Sequence, residues 1–143
     1  TDTDQILSIG RYVVETVGSS STVMQYDTID KKNEILFSLP ILFKDDAYVN
    51  VISENIKEQM RAEMLASNQE KIYWVKGAGI ADEDLFYDFT AIDAKQEFYI
   101  TDSGKLVISF DKYEVAPGYM GVVEFEIPTD LLQDVLVSNE YIH

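Results

Sequence analysis

Apolar and polar positions alternate loosely through QILSIGRYVVETV, residues 5–17, and Ile, Leu, Val and Tyr dominate. That is the pattern of a strand. Gly18-Ser19-Ser20-Ser21 reads as a turn. In TVMQYDTID, residues 22–30, Val23, Gln25, Asp27 and Ile29 fall on one side and Met24, Tyr26 and Thr28 on the other. The two segments predict a hairpin with a loose connection. A polar turn, Asp30-Lys31-Lys32-Asn33, leads into a short strand at 34–38, and Pro40 then disrupts regular pairing.

The period changes after Asp45. Val49, Ile52, Ile56, Met60 and Met64 recur at three- and four-residue steps, while Asn50, Glu54, Lys57, Glu58 and Arg61 fill the other faces. This predicts one long amphipathic helix to about Ser67, capped at its start by Asp45 or Asp46, with a methionine stripe that reads as core packing. After the apolar IYWV at 72–75, Gly77-Ala78-Gly79 forms a flexible turn. Leu85, Phe86 and Phe89 then suggest a short helix with the acids at 82–84 at its N-terminus. EFYIT at 97–101, the turn 102–105 and LVISFD at 106–111 give the strongest hairpin signal, with antiparallel strands. VVEFEI at 122–127 is a further strand, and Pro128 opens a last short helix, TDLLQDVL. The fold class is α+β: a mostly antiparallel sheet packed by one long helix and two short helices.

With 143 residues and no linker or repeat, residues 1–143 read as a single domain. Such a chain buries roughly 68–70% of its unfolded surface and needs no disulfide or structural metal. Charge adds a constraint: 26 acidic residues face 11 basic ones, a net −15. A nucleic acid or anionic membrane partner is disfavoured, because both bind through Lys and Arg. A basic partner is favoured. The charge is also uneven, since 113–143 holds six acids and no Lys or Arg.

No cysteine is present and the one histidine is His143. Thiolate zinc sites, Cys–His pairs and Ser–His–Asp triads are therefore excluded. Asp82-Glu83-Asp84 lacks the oxygen spacing of a calcium loop. Glu124 and Glu126 share one strand face and read as solvated rather than as a glycosidase pair. Gly77-x-Gly79 lacks the remaining signature of a phosphate loop. No catalytic residue, metal ligand or cofactor is assigned, and the chain is read as a non-enzyme. No run approaches the roughly 20 apolar residues of a membrane helix. Thr1 opens the chain without a Met, as an excised domain would.

The most informative segment is Tyr113-Glu114-Val115-Ala116-Pro117-Gly118-Tyr119-Met120-Gly121. Pro117 and Gly118 suit the central positions of a type II turn. Such a turn would present Tyr119 and Met120 on a loop between strands, where an aromatic gains contact area at low entropic cost. The pattern alone equally allows both side chains to fold back onto the core.

On this segment rests a resemblance. FYITDSGKLVISFDKYEVAPGYMGVVEFEIP resembles the signature of the extracytoplasmic domain of RsiV-type anti-sigma factors. YDTIDKKNEILFSLPILFKDDAYVNVISENIKEQM and KIYWV are similar to the same family, so the likeness runs from about Tyr26 to His143 and is weakest at 77–93. The resemblance implies a receptor for lysozyme on the outer face of a bacterial membrane, tethered by an N-terminal membrane helix outside these residues. In that family, lysozyme engagement permits signal peptidase to cut the protein, and intramembrane proteolysis then frees a sigma factor. It further implies that Ala116, Pro117, Gly118, Tyr119, Met120 and Gly121 contribute to lysozyme contact, with Pro117 and Tyr119 foremost. Ser20, Ser21 and Thr22 are secondary candidates. Animal-type lysozymes are strongly basic, in keeping with the acidic composition. Related domains also accompany peptidoglycan deacetylases and lipoproteins, so a noncatalytic module of a cell-wall enzyme is the alternative.

Overall fold

The computed structural model describes residues 1–143, apart from the side chain of Ser19. Two three-stranded antiparallel sheets carry the architecture. The first comprises β1 (Ile6–Val17), β2 (Ser19–Asp30) and β3 (Ile35–Phe37), in that order. The second comprises β4 (Phe98–Ile100), β5 (Leu106–Phe110) and β6 (Val123–Ile127). One long helix, α1 (Ala47–Ala66), and a single-turn helix, α2 (Thr129–Leu132), pack with them. The α+β class holds, with the strands divided between two sheets.

The hairpin connection is tighter than the sequence suggests. β2 begins at Ser19, directly after Gly18, which takes φ 85. One glycine in the left-handed region reverses the chain without the Ser-rich turn. The β1–β2 ladder consequently runs from Ile6↔Asp30 to Val17↔Ser19.

Helix α1 follows the sequence pattern. Ile52, Ile56, Met60 and Met64 are all 0% exposed, and the helix packs on β6, whose Val123, Phe125 and Ile127 are buried. Asp45 accepts the Ala47 N–H through Oδ1 at 2.9 Å. At the far end Asn68 and Gln69 take positive φ values of 52 and 64, and the Gln69 N–H returns to the Met64 carbonyl at 2.9 Å. That bond satisfies one of the carbonyls a helix end leaves open. Ser53 is buried within α1 because its hydroxyl donates to the Val49 carbonyl and accepts the Ile92 N–H at 2.9 Å.

The short helix expected around 82–89 reduces to one 3-10 turn at Asp82–Asp84. Beyond it Phe89 is buried while Phe86 is exposed. The Phe89 N–H pairs with the Trp74 carbonyl at 2.8 Å, so the backbone here is satisfied by a neighbouring segment and not by its own helix. Pro128 stands at the N-cap of α2, one place before the first helical residue.

The two sheets meet along β2 through side chains. The Tyr26 N–H donates to Glu97 Oε2 and the Met24 N–H to Asp111 Oδ1, both at 2.7 Å. Two carboxylates thus take the place of a neighbouring strand. β1 lies at the sheet edge, and from Ile9 to Val17 it is exposed. Among the described residues no helix is long and apolar enough to cross a membrane.

Candidate functional site

The loop joining β5 to β6 leaves the sheet through a turn at Asp111. The Asp111 N–H donates to Glu114 Oε2 at 2.8 Å, and the Glu114 N–H returns to the Asp111 carbonyl at 3.0 Å. Between them Tyr113 holds φ 70, an uncommon value for a bulky residue. Its ring fills the space where a side chain on Gly118 would stand, since a Cβ there would overlap Cζ. Lys112 Nζ sits 5.3 Å from the centroid of the same ring.

The expected type II turn at Pro117-Gly118 does not form, because Gly118 does not take the positive φ that turn needs. Gly118–Met120 instead makes a 3-10 turn, with the Met120 N–H on the Pro117 carbonyl and the Gly121 N–H on the Gly118 carbonyl. The left-handed residue is Gly121, at φ 66 and ψ −148.

This geometry separates the six loop candidates. Ala116 is 2% exposed, so its side chain belongs to the core and offers no contact. Met120 is partly buried against the core, and Pro117, Gly118 and Gly121 are half-buried. Tyr119 points outward at 65% exposure, and its hydroxyl donates to the Glu70 carbonyl at 2.9 Å. Its ring is displayed but tethered at the tip.

The secondary candidates lie on β2 near the hairpin end, with Ser20, Ser21 and Thr22 opposite Thr16, Glu15 and Val14. The structure brings this end of β2 to the start of the loop, where Lys112 Nζ donates to the Ser20 carbonyl and Asp111 holds Met24.

An open cleft of about 570 Å³ runs beside the loop, lined by Tyr87, Tyr113 and the carboxylates of Asp93, Glu97, Asp111 and Glu114. Those carboxylates already serve the backbone. Glu97 and Asp111 hold β2, Glu114 holds the Asp111 N–H, and Asp93 accepts the Lys95 N–H. Burial raises the Glu97 carboxyl above its ordinary pKa despite the Tyr26 N–H, and the charges of Asp111, Asp27 and Glu114 push the same way. Among the described residues no group of His, Asp and Glu side chains converges as metal ligands would.

Glu124 is engaged in a way its strand position did not reveal. It accepts the hydroxyls of Tyr26 and Tyr99 at 2.8 and 3.0 Å, and those two rings lie 5.0 Å apart. Burial first, and then Glu124, raise the Tyr99 hydroxyl to about 12. The arrangement is a clasp between β2 and the second sheet.

The family model described as "Protein of unknown function (DUF3298)" matches residues 41–130, which include the loop. The chain belongs to the DUF3298 family. Within that family's fold, a solved member from Bacteroides fragilis superimposes with a TM-score of 0.62 at 21% identity, covering 94% of this chain and 50% of the other. A second, from Pseudomonas aeruginosa PAO1, gives 0.67 at 16% identity, covering 96% and 57%. Both likenesses concern the fold. In sequence, the chain is 54% identical over 142 residues to the anti-sigma-V factor RsiV of Bacillus subtilis strain 168. The match takes in 99% of this chain and 47% of RsiV, so the chain spans about half the length of that curated relative.

Sequence reasoning assigned no contact role to Tyr113, Trp74 or Phe86. Phe86 stands three places before Phe89, on one face of the expected helix, so the period gave no signal that its ring would be exposed.

Proposed function

We propose that this chain is the extracytoplasmic sensor portion of a membrane-anchored anti-sigma factor and that its ligand is lysozyme. The observation that carries the reading is the 54% identity to RsiV across 99% of the chain. Binding would license cleavage by signal peptidase and release of the sigma factor, both acting through segments outside these residues. The net charge of −15 supports a basic partner. The loop from Pro117 to Gly121 supplies the contact, with Tyr119 as its anchor. A flat, amphipathic ring on a projecting turn also suits a saccharide cleft, so excess domain inhibits lysozyme's hydrolysis of cell walls.

Calorimetric titration with a basic animal lysozyme tests this. One-to-one binding is expected, and Tyr119→Ala should weaken it by at least about 2 kcal/mol if the ring is a central anchor. Because Tyr119 is exposed, thermal stability should change little. No heat at micromolar concentrations would overturn the reading in favour of a cell-wall accessory module.

A further inference from the structure

Phe86 presents a large apolar ring at 84% exposure. The ring is nevertheless positioned: its centroid lies 5.0 Å from that of Trp74, with the planes tilted by 48°. The chain just after it is pinned at two adjacent residues. The Phe89 N–H donates to the Trp74 carbonyl at 2.8 Å, and the Lys76 N–H donates to Asp88 Oδ1 at 3.2 Å. Lys76 Nζ also lies 4.0 Å from Asp82. A ring held in place loses little freedom when a partner covers it.

Phe86 and Tyr119 border the same stretch of chain. Tyr119 reaches the Glu70 carbonyl, and Phe86 rests on Trp74, whose N–H donates to the Val115 carbonyl at 2.8 Å. Even fully extended, the four steps from Glu70 to Trp74 span at most about 14 Å. An ordinary interface of about 800 Å² per partner is roughly 30 Å across, about twice that span. The segment that carries Phe86 is acidic: between Lys76 and Lys95 the chain holds Asp82, Glu83, Asp84, Asp88 and Asp93 and no Lys or Arg. An aromatic anchor beside a rim of net negative charge, in which Lys76 opposes only Asp82, is the arrangement that a partner of opposite charge fits.

We propose that Phe86, backed by Trp74, is a second anchor for the basic protein held by the Tyr119 loop, with Asp82, Glu83 and Asp84 as its steering rim. This rests on the functional reading above and extends its surface beyond the Tyr119 loop.

The test measures association and dissociation rates of a basic animal lysozyme on the parent domain and on Phe86→Ala, Phe86→Tyr, Tyr119→Ala and Val137→Ser, with Tm alongside. Phe86→Ala should raise Kd at least tenfold, mainly through faster dissociation. Phe86→Tyr should restore most of the affinity, and Val137→Ser, an exposed aliphatic beside Leu42, should leave it unchanged. The charge-reversed pair Asp82→Lys/Asp84→Lys should slow association several-fold and provides a second reading if Phe86→Ala lowers Tm. Tight parent binding that Tyr119→Ala weakens, with Phe86→Ala and the charge-reversed pair both at parent values, would overturn this inference alone. A parent domain that does not bind would overturn the functional reading and this inference with it.

Discussion

Gly121 carries the conformational demand of the loop, because φ 66 with ψ −148 is territory that only glycine enters readily. A Cβ there would touch nothing within 4 Å, so a substitution tests backbone strain without a clash. Gly121→Ala should cost about 1–3 kcal/mol, read as a fall in Tm by thermal denaturation. Gly118 is different, because its added Cβ would strike only the far end of the Tyr113 side chain, which can swing aside. A second residue-scale test concerns Asp30, which is 2% exposed. Its carboxylate takes the Asn33 side-chain amide, the Tyr141 hydroxyl and the backbone N–H groups of Asn33 and Lys32. The Asn33 amide chiefly, then the Tyr141 hydroxyl and the backbone donors, hold its pKa down to about 2 against the effect of burial. An ordinary Asp titrates near about 3.9, so the unfolded chain takes up this proton first. The resulting stability is complete above about pH 4 and is lost as pH falls towards about 2. Asp30→Asn should remove that component, giving a flatter dependence of Tm on pH across this window than the parent shows.

Among the elements, the join between the sheets is the least conventional, since Glu97 and Asp111 supply side-chain acceptors where a strand would supply carbonyls. Asp111→Ala should therefore leave the Met24 N–H without its partner and accelerate its hydrogen exchange, while Leu106 to Phe110 in β5 stay protected. Helix α1 was legible because four core positions recur at one period and all four are buried. The hairpin of β4 and β5 was legible because a four-residue polar turn separates two runs of β-formers. The helix expected at 82–89 failed although Leu85, Phe86 and Phe89 share one helical face, because Phe89 finds its hydrogen bond on Trp74, fifteen places earlier, and Phe86 packs on the Trp74 ring. The loop at 113–121 was recognisable as a connection between strands, but its turn type and the outward side of Tyr119 were not, because the ring of Tyr113 against Gly118 is a contact that local residue preferences do not contain. Likewise no periodicity could show that Glu124 would meet Tyr26, which is 98 residues away.

For the molecule as a whole, a net charge of −15 with no Lys or Arg after Lys112 gives a field that acts before contact. Association with a basic partner should therefore slow by about tenfold or more as salt rises from roughly 0.02 M to 1 M, whereas dissociation changes less. Stopped-flow mixing would read the two separately. The exposed edge of β1 gives this charge another consequence. Tyr12, Val13 and Val14 are consecutive exposed β-formers on a strand without proline, bracketed by Arg11 and Glu15. Such an edge is a template for self-assembly, and mutual repulsion between like-charged copies opposes its use. Concentrated salt removes that repulsion, so the solvent in which the domain is stored decides whether it stays colloidally dispersed or adds strands to its own edge.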